Sequence, residues 1–131
     1  MKRFAGIASM LLVGLPCLAT PIADPPETVV ATFRARKGAE GALEKVIQEE
    51  WAALQRHALV TADAAVLYRE QDEPGKTTFV HVFTWKSHDA PDNVPADVEA
   101  IWTKMQPLVE PRGGHRGIEH PEVERVALPA P

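Results

Sequence analysis

The stretch "TTFVHVFTWKS", Thr77 to Ser87, decides the fold. Its alternation is that of a β-strand. Phe79, His81, Phe83 and Trp85 point to one side, and Val80, Val82 and Thr84 to the other. Neither side is strongly polar. A strand with two dry faces must be covered twice, and the flanking elements indicate by what.

Just upstream, "DEPGK" (Asp72 to Lys76) is a turn. Its shortness makes Ala64–Gln71 an antiparallel hairpin partner, with Val66 and Tyr68 on one face and Leu67 and Arg69 on the other. Further upstream, Thr28–Arg36 alternates as a strand and stops at Lys37-Gly38. A helix is expected from about Ala39 to His57, because Leu43, Val46, Ile47, Trp51, Leu54 and Ala58 fall on one stripe. Downstream, Asn93 suits an N-cap and Pro95 a first helical turn. Val94, Val98, Ile101, Trp102, Met105, Leu108 and Val109 give that second helix its apolar stripe. The loop "EPRGGHRG" leads to a last strand over Ile118–Ala127, where Pro121 marks an edge or a bulge. The order β-α-β-β-α-β specifies the ferredoxin-like α+β plan, a four-stranded antiparallel sheet with two helices on one face. The first and third strands are dry on the second face as well. The simplest cover for that face is another copy of the same sheet, so a homodimer is expected.

The 131-residue chain opens with Lys2 and Arg3, an apolar run from Phe4 to Leu15, and small residues in "CLATPIA". This is a signal-peptide pattern over residues 1–19, with cleavage after Ala19, or else after Ala23. It implies export to the periplasm or beyond and a mature domain at 28–127. The run is too short for a stable membrane span, which takes roughly 20 residues. Pro16 is a poor neighbour for a lipid anchor at Cys17. Cys17 is the chain's one cysteine, so the mature domain has no disulfide, thiol nucleophile or cysteine metal site. Losing Lys2 and Arg3 lowers the basic count from 14 to 12 against 18 acidic residues, a net charge of −6. An acidic domain without a basic stripe is a poor partner for nucleic acid.

The first strand ending in "RKG" (Arg36 to Gly38), the third ending in "WKS" (Trp85 to Ser87), and the second amphipathic helix running into a final strand together resemble the antibiotic biosynthesis monooxygenase (ABM) family of the dimeric α+β barrel superfamily. The resemblance covers about Thr28 to Ala127. It implies a homodimer with a pocket between sheet and helices in each subunit, hosting cofactor-free oxygenation of quinol-like or polycyclic aromatic compounds. Haem-degrading relatives use an Asn on the first strand, a Trp ending the third and a His on the second helix. Trp85 stands at the Trp position, Ala31 falls at or near the Asn position, and the second helix has no His. That argues against haem degradation by the known route.

His81 is the leading candidate for chemistry, since an imidazole in an apolar pocket favours its neutral, proton-accepting form. Packing alone also accounts for a core histidine there. Trp85, Phe83 and Phe79 are the expected aromatic wall for a substrate, and Tyr68 the group that orients it. Arg34 and Arg69 suit ion pairs at an interface. Trp51 and Trp102 lie on helix stripes and read as core. The five histidines show no metal-ligand spacing, although "HRGIEHPE" brings His120 and Glu122 to one side of a strand. No metal or other cofactor is expected. The "RGGHRG" glycines follow a helix and precede a strand, the reverse of a phosphate-cradling loop. The expected function is an exported, cofactor-free monooxygenase for a small aromatic or quinol-like compound. The alternative is a non-catalytic dimer that binds a small ligand or serves in stress.

Overall fold

A computed structural model of the protein describes residues 24–131. The signal segment and both cleavage positions lie outside the described residues. Strand β1 (Glu27–Arg34) leads into helix α1 (Glu40–Arg56), then β2 (Val66–Glu73), β3 (Lys76–Trp85), α2 (Ala96–Met105), and the short strands β4 (Ile118–Glu119) and β5 (Glu122–Val123). The sheet is antiparallel in the order β2-β3-β1-β4, and β5 also pairs with β1. This is the α+β, ferredoxin-like plan.

Three local features differ from the sequence-based expectation. The last strand is two short pieces ending at Val123, because Pro121 lacks the N–H a ladder needs. Its carbonyl still accepts the Val30 N–H at 3.1 Å. Asn93 does not cap α2. It closes a 3-10 turn over Ala90–Asn93, donating to the Asp89 carbonyl at 2.8 Å, and Pro95 sits at the N-cap instead. The hairpin turn is two residues, Pro74 and Gly75, rather than five, with Gly75 at φ +78.

The inner sheet face carries Val29, Ala31 and Phe33 from β1, with Ala35 just beyond it, and Phe79, His81, Phe83 and Trp85 from β3, all buried. Helix α1 presses Leu43, Ile47 and Leu54 into the core, and α2 contributes Val98, Ile101 and Met105. Among the described residues no helix is long and apolar enough to cross a membrane.

Gly117 locks the loop before β4 against β1. Its carbonyl accepts the Arg34 N–H at 2.8 Å, and a Cβ there would stand 2.9 Å from Val109 Cγ2 and 3.1 Å from the Glu110 nitrogen. Val109 is itself buried, so it has little room to yield. Gly117→Ala is therefore expected to destabilise the protein by about 1–3 kcal/mol. A urea midpoint equal to that of wild type would refute this close packing.

Candidate functional site

The two central strands are matched unequally. Val29 lies opposite Phe83 and Ala31 opposite His81, so small side chains on β1 face bulky ones on β3. Trp51 of α1 packs edge-on against His81 at 5.3 Å and against Phe83 at 5.8 Å. The aromatic row on β3 thus supports the helix layer, and space remains over β1. There a cavity of about 800 Å³ opens, with Val29, Ala31, Phe33, Phe83, Trp85 and Trp102 in its apolar wall.

The structure brings together only part of the expected site. Phe83 and Trp85 line the cavity, their rings 5.2 Å apart. His81 does not line it. The imidazole is 3 % exposed, tilted against Phe83 at 4.7 Å, and its Nδ1 has no partner. Burial pushes its pKa down to about 4, so it is a neutral ring behind the wall. Phe79 also falls outside the cavity. It is fully buried beneath the Arg69 guanidinium, 5.3 Å from its ring. Tyr68 is on the opposite face of the sheet. Its cross-strand partner is Val80, whereas Leu67 pairs with His81, and Tyr68 is 57 % exposed. The expected grouping of His81, Tyr68 and Trp85 around one space therefore does not form within this chain.

The cavity contains instead a group that the sequence reading passed over. Glu50, on α1, is 6 % exposed and lines the cavity. Its Oε1 accepts the indole N–H of Trp102 at 2.5 Å, while its buried Oε2 has no hydrogen-bond partner. Burial raises its pKa to about 7 against a lowering by the Trp102 hydrogen bond. The signal was present in the sequence. Glu50 lies three residues after Ile47 and four before Leu54, in the middle of the apolar stripe, where a carboxylate has no packing reason to be.

The cavity mouth is polar. His88 Nδ1 lies 2.6 Å from a Glu27 carboxylate oxygen and 3.8 Å from one of Glu122. Hydrogen bonding to Glu27 holds the His88 pKa above its usual range. Burial, followed by the neighbouring Glu122, raises that of Glu27. One ligand atom from each of these three residues falls within 4.8 Å of the others, a spacing that would admit a cation, although ion pairing already accounts for the arrangement. Of the "HRGIEHPE" residues, His120 and Glu122 both line the cavity, whereas His115 meets Glu119 at 3.2 Å and Glu119 meets Arg34 at 2.8 Å.

Solved structures share this arrangement of elements. SnoaB of Streptomyces nogalater, described as a cofactor-independent oxygenase, superposes with a TM-score of 0.60 at 22% identity, over 81% of this chain and 99% of its own. A proposed antibiotic biosynthesis monooxygenase of Caulobacter crescentus CB15 gives 0.57 at 20% identity, over 78% of this chain and 92% of its own. Rv0793 of Mycobacterium tuberculosis gives 0.54 at 17% identity, over 80% and 99%. The chain is an ABM-like domain in fold. No protein-family model and no curated protein sequence matches it.

His81 and Glu50 make opposite demands on pH. Unfolded His81 takes a proton near pH 6.5 and the folded ring only near 4, so stability falls as pH drops through that window. Folded Glu50 keeps its proton up to about pH 7 and the unfolded residue loses it near 4.5, so stability falls as pH rises between them. His81→Leu should therefore gain up to about 3 kcal/mol over wild type at about pH 4 relative to about pH 8. Glu50→Gln should gain a similar amount in the reverse direction. Urea unfolding across this range checks both, and a pH-independent difference for either variant would remove its assignment as a buried, shifted group.

Proposed function

We propose that the protein is an exported, homodimeric, cofactor-independent monooxygenase acting on a small aromatic or quinol-like compound. The observation that carries this reading is the cavity of about 800 Å³ with Phe83 and Trp85 in its wall. Such a space takes a flat ring, and aromatic side chains give it offset-stacking or edge contacts. SnoaB, of the same fold, is described as a cofactor-independent oxygenase. For a hydroxyarene with an open position para to its hydroxyl, the electrons balance without another reductant. One O₂ enters, one oxygen atom becomes the new ring carbonyl, the other leaves as water, and the ring is oxidised by four electrons to the quinone. The protein's part is to take the hydroxyl proton and to exclude water from the electron-rich anion.

Export is supported by the basic, apolar and small-residue order of the first 19 residues. The dimer is supported by the outer sheet face. Val30, Val80 and Val82 are only partly covered there, and Val66 and Tyr68 are exposed at 40 % and 57 %. That is an apolar surface of the kind a second sheet would cover.

Oxygen uptake with a panel of quinols and hydroxynaphthalenes tests the activity. Trp85→Ala is expected to lower the rate by roughly tenfold or more through loss of ring positioning. His81→Leu, altered behind the wall, should stay within a few-fold of wild type. Saturable binding with no oxygen uptake for any compound would leave a ligand-binding protein and end the oxygenase reading. For the dimer, light scattering should give twice the chain mass for wild type and one chain mass for Val82→Asp. A wild-type monomer would refute the sheet-to-sheet pairing.

A further inference from the structure

Four carboxylates line the cavity: Glu27, Glu50, Asp92 and Glu122. Asp92 and Glu122 are exposed, and Glu27 is engaged by His88. Glu50 alone among them is deeply buried and has an oxygen without a partner. Leaving such an oxygen unsatisfied costs about 1–3 kcal/mol, so a native protein that retains it needs a reason. A leucine at position 50 would continue the stripe of Leu43, Ile47 and Leu54 with no such cost. The natural donor for Oε2 is a ligand in the cavity.

We propose that Glu50 Oε2 is the proton acceptor of this cavity, and that its ligand is an uncharged aromatic with a ring hydroxyl, bound with that hydroxyl on Oε2 and its ring against Phe83 and Trp85. This rests on the oxygenase reading for its purpose but not for its test. In the step itself the ligand O–H bond breaks and a new O–H bond forms at Oε2. The electron pair stays on the ligand oxygen, and a neutral carboxylic acid remains beside an aryl oxide. Trp102 is a positioning residue. Its indole N–H occupies Oε1 and thereby leaves Oε2 as the oxygen that faces the ligand. An affinity for protons near neutrality suits a group that must take one and return it. His81 cannot compete for this role, being excluded from the cavity.

The assay is anaerobic titration with 3-nitrophenol at about pH 7.5, where Glu50 is mainly ionised, the free phenol is mainly neutral and its anion is visible by absorbance. Wild type should bind saturably and develop the phenolate band. Glu50→Gln should still bind, within a few-fold in affinity, while the phenolate signal falls roughly tenfold or more. Trp102→Phe supplies an independent readout should the Gln variant fail to fold. Loss of the N–H that favours the ionised carboxylate should move the midpoint of the phenolate signal to higher pH. A Glu50→Gln protein with an undiminished band, an unmoved Trp102→Phe midpoint, or a wild type that binds no phenol would each overturn the assignment. If proton transfer is seen but no oxygen is consumed aerobically by any hydroxyarene, the oxygenase reading fails and Glu50 keeps its role. If oxygen is consumed equally by wild type and Glu50→Gln, the reverse holds.

Discussion

The rest of the structure depends on the pairing of β1 with β3. It runs without a break from Glu27 opposite Trp85 to Arg34 opposite Thr78. Because side chains alternate, a slip of one residue would turn Phe79, His81, Phe83 and Trp85 away from the helices. The observed register does more than keep them inward. It sets Val29 and Ala31 beside two large aromatic neighbours, so the inner surface is tall on β3 and low on β1. Helices resting on the tall side leave space over the low side. The cavity follows from a size mismatch between paired strands, and a bulkier residue in place of Ala31 would fill it from below. On the outer face the same register brings the Thr28 and Thr84 hydroxyls to 2.8 Å.

Element order and the inward row on β3 were legible in the sequence, because periodicity reports which residues share a face of one element. What it does not report is how two elements align. Tyr68 was legible as sharing a face with Val66, yet its relation to His81 depends on hairpin register. That register is set by the two-residue Pro74-Gly75 turn and by an irregularity between Gln71 and Glu73. Shifting parity by one moves Tyr68 from the cavity side to the outer side. The same limit explains His81. Its face was read correctly, but a face can be core at one point and cavity at the next, and only the packing of Trp51 decides which. Glu50 was missed for a different reason. It was legible as a charge on a buried stripe, but the stripe was read for its apolar members alone.

Glu50 and His81 are both ionisable groups surrounded by hydrocarbon and aromatic rings, and both are driven toward their neutral forms. Their situations differ in what lies next to them. Trp51 and Phe83 close around the imidazole, so proton exchange with a ligand has no route. Glu50 lines the cavity with its free oxygen buried, and its other oxygen is committed to α2. The Trp102–Glu50 hydrogen bond also joins α2 to α1, beside the exposed pairs Lys104–Glu49 and Arg56–Asp97. Those surface pairs contribute little to stability individually. The inner bond is the one whose partner selects which carboxylate oxygen remains available.

The mouth and the interior divide the work of binding. Around the rim, His88 with Glu27 and Glu122 keeps charge next to water, and the Asp24 carboxylate takes the N–H groups of His88 and Asp89 at 2.9 and 3.0 Å. The segment before β1 is thereby tied to the loop after β3, at the entrance to the cavity. A charged ligand would gain at this rim and lose its hydration further in, since the arginines that line the cavity among the described residues, Arg36 and Arg116, are exposed. A neutral ring with one hydroxyl suffers less on both counts, since its hydrocarbon gains from leaving water and its polar group has the unpartnered Glu50 Oε2 to meet. The selectivity argued for this cavity therefore comes from its apolar depth and from one oxygen left unpaired within it.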